Sequence, residues 1–340
     1  MMKVLKLTLL CAVALLALIS CDNRDARFYD VGMVSTFSGF EDLAFNYHAK
    51  MGLAAAAEDF TIDDYYREPN VSTSYQTSIE LLATEKMDLI FTIGFEQAAP
   101  TATIALEYPE TRFCIIDHQC ELPTREGNIS SILFHSDEAA FPLGYLAAHW
   151  AWMHDPDDAK TGAILGKDLP VYHRMTDAFA NGVAYYNQQF DRNVEALALV
   201  ADELYNEYIG ETLADSLLTM GADVIFPAAG ETSGGAVKAA YLQNRWIIGA
   251  ESDFYFAHQI YREICLSSLV KTVDDMVYKV AEDLYQGEYQ DNGVHIGDLA
   301  NGGVKLAPYH DFETVIPDST QLQVLNIIQQ IEEGSLSTGW

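Results

Sequence analysis

Polar and acidic side chains follow several short apolar segments of this 340-residue sequence, at the point where each segment ends. Asp117 follows one such segment in the first half of the chain, and Glu251 follows another in the second half. Carboxylates accept hydrogen bonds from hydroxyl and N–H groups, so residues of this type suit the binding of a polar small molecule. The other stretches in this position are 35–39, 94–96, 166–168 and 228–231.

Motifs of enzyme chemistry are absent from the sequence, which has no G-x-S-x-G, phosphate-loop or G-x-G-x-x-G pattern. The Gly-rich stretch 230–235 opens a predicted helix, where it would either offer N–H groups to a ligand oxygen or form only a tight turn. The nine histidines show no metal-ligand spacing, since even His149 and His154 fall on different helix faces. We therefore predict a binding protein with no cofactor and no metal, rather than an enzyme.

Strands and helices that would position these residues alternate along nearly the whole chain. Strands are predicted at 28–35, 60–66, 88–92, 112–117, 129–134, 161–165, 195–200, 222–226 and 246–249. Helices are predicted at 42–57, 73–85, 97–106, 139–153, 174–188, 212–220 and 235–242. Short apolar strands separated by helices favour parallel sheets covered on both faces, here an α/β fold of two doubly wound lobes. Because ligands bind beyond the carboxyl ends of such strands, the polar stretches should face each other across a cleft.

The first residues are typical of an export signal. Lys3 and Lys6 precede the apolar run 7–19, which is too short to span a bilayer. The run ends at Ser20-Cys21, which resembles the lipobox of bacterial lipoproteins. We predict a signal peptide at 1–20, a lipidated Cys21 that opens a tether at 21–27, and a protein anchored by lipid to a cell membrane, facing the periplasm or exterior. The alternative is an ordinary signal peptide with a coincidental cysteine.

The balance of charges excludes some partners. The chain has 19 Lys and Arg against 50 Asp and Glu, which gives a net charge of −31. Nucleic acid and anionic lipid headgroups require basic surfaces, so neither is a predicted partner. Three cysteines lie beyond the anchor, Cys114, Cys120 and Cys265, and this odd number indicates no disulfide framework. Either Cys114 and Cys120 form one bridge, or the thiols are simply buried.

Several stretches between Val31 and Phe312 resemble, in order, the basic membrane protein family of bacterial lipoproteins. They are VGMV at 31–34, FEDLAFN at 40–46, DLIFTIGF at 88–95, YPETRFCIID at 108–117, AAFPLGYLAA at 139–148, GADVIFPAAG at 221–230, IGAESD at 248–253, SSLVK at 267–271 and NGGV at 301–304. The resemblance implies the type I periplasmic-binding-protein fold. It also implies a substrate-binding component that takes a purine nucleoside and serves an ABC permease.

The resemblance also implies which residues hold the base. Phe45 matches the aromatic residue that stacks on the base, and Asn46 matches an amide that reads the base edge. Asp117 matches the acid at a strand end. Tyr205, or a neighbour in the stretch 204–208, falls where the family has an aromatic residue in a Phe-x-Asp-like stretch, and LYNEY here departs from that pattern. From the residues alone, Phe45 also fits a core position on an amphipathic helix, and Asp117 also fits a turn cap.

On the sugar side, the family pattern places a carboxylate and a lysine against the ribose hydroxyls, and these positions match Glu251 and Lys271. A lysine beside the carboxylate would keep it ionised in a closed cleft. Gly230 matches a backbone contact. Read without the family, Lys271 also fits an exposed lysine at the start of a helix.

Two departures bear on ligand specificity. The first strand of the family ends in Thr-Asp, but here it ends in Ser35-Thr36, so Thr36 replaces a base-reading acid. Glu251 replaces an Asp and is longer by one methylene. Loss of an acceptor for purine N–H groups leaves the identity of the base open, while the site for the sugar diol is retained.

We predict lobes at 28–135 and 136–250, and crossover segments within 251–340 that contribute to both. Hinges are expected near 134–137 and 249–253. The favoured function is a lipid-anchored substrate-binding protein of an ABC importer for a nucleoside-like ligand. The alternatives are a receptor that signals to a membrane partner, a surface lipoprotein with an unused pocket, and an enzyme that acts on the bound molecule.

Overall fold

The computed structural model describes residues 28–70, 72–120 and 127–340. The predicted signal peptide, the tether and Cys21 lie outside these ranges. None of the helices in the described ranges combines the length and the apolar character that crossing a membrane requires.

The described chain forms two six-stranded sheets. The strands are β1 Tyr29–Val34, β2 Ile62–Arg67, β3 Leu89–Ile93, β4 Arg112–Ile116, β5 Ile129–Phe134, β6 Lys160–Leu165, β7 Glu195–Val200, β8 Val224–Ala228, β9 Trp246–Gly249, β10 Cys265–Lys271, β11 Val294–Gly297 and β12 Val304–Leu306. The helices are α1 Phe45–Asp59, α2 Tyr75–Thr84, α3 Ala98–Glu107, α4 Ser136–His154, α5 Pro170–Phe190, α6 Glu207–Thr219, α7 Thr232–Leu242, α8 Phe254–Ala257, α9 Val273–Gln286 and α10 Asp318–Glu332.

The sheet of the first lobe has the order β11-β5-β4-β3-β1-β2, and all its strand pairs are parallel. Its central strands are mostly apolar, as in β3, where all five residues are buried. Such strands are typical of a parallel sheet covered by helices on both faces. One of these covering pairs is α1 and α9, which approach so closely at Gly52 that a Cβ there would lie 2.2 Å from the carbonyl oxygen of Asp274.

The sheet of the second lobe has the order β12-β10-β9-β8-β6-β7. Its strands are parallel except β12, which pairs antiparallel with β10. These two sheets establish the predicted α/β class with two doubly wound lobes. The segment after residue 250 supplies elements to both sheets, because β10 and β12 belong to the second and β11 to the first.

The chain passes between the lobes three times. The first crossing follows β5 at residues 135–136, within the predicted hinge at 134–137. The other crossings lie at Thr272, after β10, and between β11 and β12. The predicted hinge at 249–253 is wrong, because β9, α8 and β10 all lie in the second lobe and the chain stays there until Lys271.

The three crossing segments are bonded to one another. The His135 N–H donates to the carbonyl of Gly297 over 2.8 Å, and the Thr272 N–H donates to the carbonyl of Gly303 over 2.9 Å. A Cβ on Gly303 would lie 2.2 Å from the Cα of Gly297, so only glycine permits this approach. The lobes are therefore joined by one narrow bundle of backbone, which suits a hinge.

Candidate ligand-binding cleft

A cleft of about 320 Å³ lies where the carboxyl ends of the two sheets face each other. Residues from both lobes line it. They are Thr36, Ser38, Asp42, Ala44, Phe45, Asn46, Gly94, Phe95, Glu96 and Asp117 from the first lobe, and Tyr172, Leu204, Tyr205, Glu207, Gly230, Glu231, Ser233, Ala250, Glu251, Ser252, Phe254, Ala257 and His258 from the second. Seven of the eight residues predicted to contact ligand are among them, and the eighth, Lys271, bonds to two of the seven.

Lys271 connects the lobes at the base of this cleft. Its Nζ donates to Asp117 Oδ2 over 2.7 Å and to Glu251 Oε1 over 3.0 Å. Asp117 belongs to the first lobe, whereas Glu251 and Lys271 belong to the second. The Lys271 side chain is fully buried and lies at the end of β10, so the reading of Lys271 as an exposed lysine at a helix start is wrong.

The charges of this cluster are set by burial and by each other. Burial disfavours the Lys271 ammonium, but the carboxylates of Asp117 and Glu251 outweigh it and raise the pKa of Lys271 to about 12. Burial and the charge of Glu251 raise the pKa of Asp117, against the opposing effect of Lys271. One lysine between two carboxyl groups leaves acceptor oxygens unneutralised, and these suit the hydroxyl groups of a ligand.

Asp117 and Glu251 share an unusual backbone conformation. Their φ angles are 63° and 67°, in the left-handed region that non-glycine residues rarely adopt. Each follows the last residues of an inner strand, so the left-handed turn directs the chain away from the sheet at the cleft. Such conformations cost of order 1–3 kcal/mol and concentrate at functional sites. The Lys271 N–H holds one of them by donating to the Glu251 carbonyl over 3.0 Å.

Phe45 is the first residue of α1 and is half-buried on the cleft wall. Its ring centroid lies 5.5 Å from Lys271 Nζ, and its ring meets Phe134 edge to face at 6.5 Å. The ring therefore stands beside the lysine and carboxylate cluster with part of its surface toward the cleft. This is the placement that stacking on a planar ligand requires.

The side-chain amide of Asn46 is engaged by the protein itself. Its Oδ1 accepts from the Thr36 N–H over 2.8 Å, and its Nδ2 donates to Thr36 Oγ1 over 2.9 Å and to Asp42 Oδ2 over 2.7 Å. Both amide hydrogens are thus used. Asn46 lines the cleft as predicted, but its clearest role in this structure is to hold Thr36 in place.

Asp42 is a cleft residue that the sequence reasoning did not single out. It accepts hydrogen bonds from the N–H groups of Ala44, Asn46 and Tyr47 as well as from the Asn46 amide. These donors are the free backbone groups at the start of α1. Asp42 therefore caps the helix that carries Phe45. Asp42 is the first residue of the helix predicted at 42–57, and an acid at a predicted helix start was the available signal.

A second bond between the lobes closes the cleft. The hydroxyls of Tyr205, from the second lobe, and of Tyr75, from the first, both donate to Glu96 Oε2, the latter over 3.2 Å. Burial raises the pKa of Tyr75 to about 12, so this hydroxyl remains a donor, and burial likewise raises the pKa of Tyr205. The structure places Tyr205 at the cleft as predicted. Tyr75 was missed, because no local pattern marks a tyrosine whose partner is 21 residues away.

The Gly-rich loop forms a tight turn on the cleft wall. Gly230 has a φ of 58°, and a Cβ there would lie 3.1 Å from the Leu204 carbonyl oxygen. The Ser233 hydroxyl bonds the same loop by donating to the Pro227 carbonyl and accepting from the Ala229 N–H. Both readings of this stretch are thus compatible with the structure, since the turn itself faces the cleft.

Ser252 is another cleft residue that sequence reasoning missed. It is buried, and its Oγ has no hydrogen-bond partner within the part of the chain that the structure describes. Its neighbour in sequence is Glu251. A buried hydroxyl without a partner at a cleft wall is an available donor or acceptor for a ligand.

The described ranges contain no candidate metal site and no disulfide. No group of His, Cys, Asp and Glu side chains there is arranged to hold a metal ion. Cys114, Cys120 and Cys265 are free thiols, so the alternative of a Cys114–Cys120 bridge is wrong. Burial raises the pKa of Cys114 and of Cys265 to about 12, which suppresses the reactive thiolate.

Comparisons with known proteins agree with this geometry. A protein-family model described as ABC transporter substrate-binding protein PnrA-like matches residues 30–336. An uncharacterized lipoprotein of Pyrococcus abyssi is 26% identical over 326 residues, covering 92% of this chain and 79% of the relative. Basic membrane protein A1 of Borrelia garinii subsp. bavariensis is 27% identical over 252 residues, covering 73% of this chain and 72% of the relative.

A solved structure shows the same fold. The ABC transporter solute-binding protein of Aeropyrum pernix K1 superposes with a TM-score of 0.79 at 25% identity, covering 92% of this chain and 93% of that one. An ABC transporter solute-binding protein of Conexibacter woesei superposes with a TM-score of 0.66. The fold is therefore the type I periplasmic-binding fold, and the chain belongs to the basic membrane protein family of PnrA-like ABC transporter substrate-binding proteins.

Proposed function

We propose that this protein is a lipid-anchored substrate-binding protein that captures a purine nucleoside, or a related ribosyl compound, and delivers it to an ABC permease. The observation that carries the proposal is the buried Lys271, which lies between Asp117 and Glu251 where the two lobes meet. Both lobes contribute to this cluster, so a ligand held there would favour the closed arrangement.

The carboxylates of the cleft support a sugar as one part of the ligand. Two adjacent hydroxyl groups can donate to one carboxylate, and Glu251 has only one oxygen bonded to Lys271. The Lys271 ammonium donates to that carboxylate over 3.0 Å, and charge-assisted hydrogen bonds are the stronger kind. Ser252, whose hydroxyl has no partner among the described residues, stands next to Glu251 and adds a further polar contact.

The aromatic side chains of the cleft support a planar base as the other part of the ligand. Phe45 stands beside the charged cluster, and Tyr205 lies on the opposite lobe. Aromatic stacking on a base is worth about 1–3 kcal/mol by analogy with proteins that bind single-stranded nucleic acid. Phe45 and Tyr205 are thus the stacking residues in this proposal, with Gly230 as a backbone contact.

The charge of the cleft disfavours phosphorylated ligands. Among the residues that the structure describes, six carboxyl groups line it, and the one lysine that bonds to any of them is shared by two. The lining acids are Asp42, Glu96, Asp117, Glu207, Glu231 and Glu251. A phosphate group would meet this negative field in a partly desolvated site, so we expect nucleosides to bind and nucleotides to be rejected.

Calorimetry tests the ligand directly. Residues 22–340, titrated with a panel of nucleosides and their 5′-monophosphates, should bind at least one purine nucleoside and no nucleotide, and the ligand should be recovered chemically unchanged. Glu251→Ala should abolish binding because the diol loses its acceptor, whereas Glu107→Ala, an exposed acid on α3, should bind as the wild type does. Absence of heat and of thermal stabilisation across the panel would refute the nucleoside ligand.

The membrane tether is tested separately. Expressed from residue 1 in a bacterium that processes lipoproteins, the wild-type protein should enter the detergent phase on phase separation, and Cys21→Ala should remain in the aqueous phase. Binding by the purified protein should be the same for both. Equal partitioning of the two proteins would contradict lipidation at Cys21.

A further inference from the structure

The end of β1 is where the family resemblance noted in the sequence implies an acid, and this chain has none there. Thr36 occupies the position, and its hydroxyl and N–H are held by Asn46. The end of β3 lies against it, since Thr36 Cγ2 is 3.7 Å from the point where a Cβ on Gly94 would stand. Glu96 is two residues farther along the chain and lines the same cleft. A carboxylate is therefore present beside position 36, but it comes from a different strand.

Hydrogen bonds link Glu96 to the Thr36 loop. The Phe37 N–H donates to the Tyr75 hydroxyl over 3.3 Å, and that hydroxyl lies 3.2 Å from Glu96 Oε2. Tyr205 donates to the same oxygen from the opposite lobe. In the described part of the chain no group bonds to the other oxygen, Glu96 Oε1. Two donors thus fix one oxygen of the carboxylate and leave the second as an acceptor in the cleft.

The other five acids that line the cleft in the described ranges are bonded to different groups or are exposed. Asp42 accepts four hydrogen bonds at the start of α1, and Asp117 and Glu251 share Lys271. Glu231 is exposed. Glu96 is thus the half-buried carboxylate that combines a fixed position with an unused oxygen beside Thr36.

We propose that Glu96 is the residue that reads the N–H groups of the ligand's base, in place of the acid missing at Thr36, and that it selects 6-oxopurine nucleosides. This inference rests on the proposed function and deepens it. Hypoxanthine and guanine present an N1–H donor, which a carboxylate accepts, whereas adenine presents a bare N1 acceptor, which a carboxylate repels. Sites built around such a bond discriminate strongly, because the wrong ligand leaves a desolvated polar group unpaired.

Recognition by Glu96 is coupled to lobe closure. Tyr205 reaches Glu96 only when the lobes are together, because the two residues belong to different lobes. A base that bonds to Oε1 and a tyrosine that bonds to Oε2 then order the same carboxylate. Tyr75 supplies the same type of bond from within the first lobe and provides a comparison that does not depend on closure.

Glu96→Gln gives a directional test, because the two tyrosine hydroxyls would draw the amide oxygen toward them and leave the NH₂ group facing the ligand. An NH₂ donor repels N1–H and suits the N1 of adenine. By calorimetry, the wild type should prefer inosine to adenosine and to 1-methylinosine by at least tenfold. In Glu96→Gln the ratio of inosine to adenosine affinity should fall at least tenfold, and 1-methylinosine should lose little further affinity.

Controls separate the outcomes. Glu107→Gln makes the same change of charge at an exposed site on α3 and should leave the ratio at its wild-type value. Tyr205→Phe should raise the ligand dissociation rate more than Tyr75→Phe does, since of the two tyrosines Tyr205 is the one that bonds to Glu96 from the opposite lobe. A Glu96→Gln protein that is folded by circular dichroism and keeps the wild-type ratio would overturn this inference and leave the proposed function standing. A wild type that binds no nucleoside would overturn both.

Discussion

At the scale of residues, the candidate site is a set of polar groups that mostly bond to one another. Lys271 bonds Asp117 and Glu251, Asn46 bonds Thr36, and Glu96 bonds two tyrosines. Such pairing fixes the direction in which the remaining acceptors point. The arrangement is preorganised for a ligand rich in donors.

Removal of Lys271 should destabilise the protein strongly. Lys271→Met leaves two carboxyl groups in a buried place without their cation, and we expect the free energy of unfolding to fall by about 3–5 kcal/mol. Urea unfolding monitored by circular dichroism measures this free energy in the variant and in the wild type. Adding Asp117→Asn to Lys271→Met should restore part of the loss.

The matched control is Lys305→Met, which removes the same charge from an exposed position on β12. It should change the free energy of unfolding by less than about 0.5 kcal/mol. Equal losses in the two variants would show that the Lys271 cluster contributes nothing particular to stability.

Part of this site could be predicted from the sequence, and the rest could not for a physical reason. Strand-end position identified Asp117, Glu251 and the 94–96 stretch, because a parallel sheet collects its strand ends at one edge. Family resemblance added Phe45 and Lys271. Two sets of hydrogen bonds were not predictable from the sequence. They are the bonds between Asn46 and Thr36 and the bonds from Tyr75 and Tyr205 to Glu96. Each depends on the directions in which side chains point in the folded protein.

At the scale of elements, the sequence pattern predicted most strands and helices as far as β9. Helix starts were the weak point, since α4, α5, α6 and α7 begin three to five residues before their predicted starts. These first turns are mostly polar or Pro-containing, so apolar periodicity detects them late. The helix α1 shows the reverse, because Asp42 caps it from outside and its first residue is Phe45.

The packing of α10 on α4 should respond to acid. His149, on α4, bonds through Nε2 to Thr320 Oγ1 of α10 over 3.0 Å, and burial lowers its pKa below 6.5. The unfolded chain therefore takes up this proton at a higher pH than the folded protein does. Stability contributed by neutral His149 should be lost as the pH falls below 6.5.

Thermal unfolding across pH checks this expectation. The wild-type melting temperature should fall as the pH is lowered through 6.5, and His149→Gln, which keeps a hydrogen-bonding group without a proton to gain, should show a smaller fall. His118, His258 and His295 also have pKa values lowered by burial, so part of the fall should remain. Identical slopes in the variant and the wild type would count against a role for His149.

At the scale of the whole molecule, two lobes joined by three crossings enclose a cleft, an arrangement that suits closure about a hinge. The last third of the chain determines this and was the least predictable part. The strand β11 has four residues and pairs with β5, more than 150 residues earlier, and β12 has three residues. Segments this short carry no usable periodicity, and their pairing is decided by contacts distant in sequence.

The proposed tether and the cleft would act together at the membrane. A lipid on Cys21 would hold the lobes near the membrane while the hinge permits capture and release. The two bonds that join the lobes at the cleft, Lys271 to Asp117 and Tyr205 to Glu96, are then the contacts that a permease would have to break. Transport would depend on their strength being moderate once the ligand has left.

Native mass spectrometry of the protein purified without refolding shows directly whether the cleft holds a nucleoside. We expect a stoichiometric adduct with the mass of a purine nucleoside, a 6-oxopurine nucleoside in particular. The ligand should be released unchanged on denaturation, or regained when ligand-free protein is mixed with inosine or guanosine. A hexose or a nucleotide bound stoichiometrically, or a ligand-free mass that saturating nucleosides leave unaltered, would contradict this expectation.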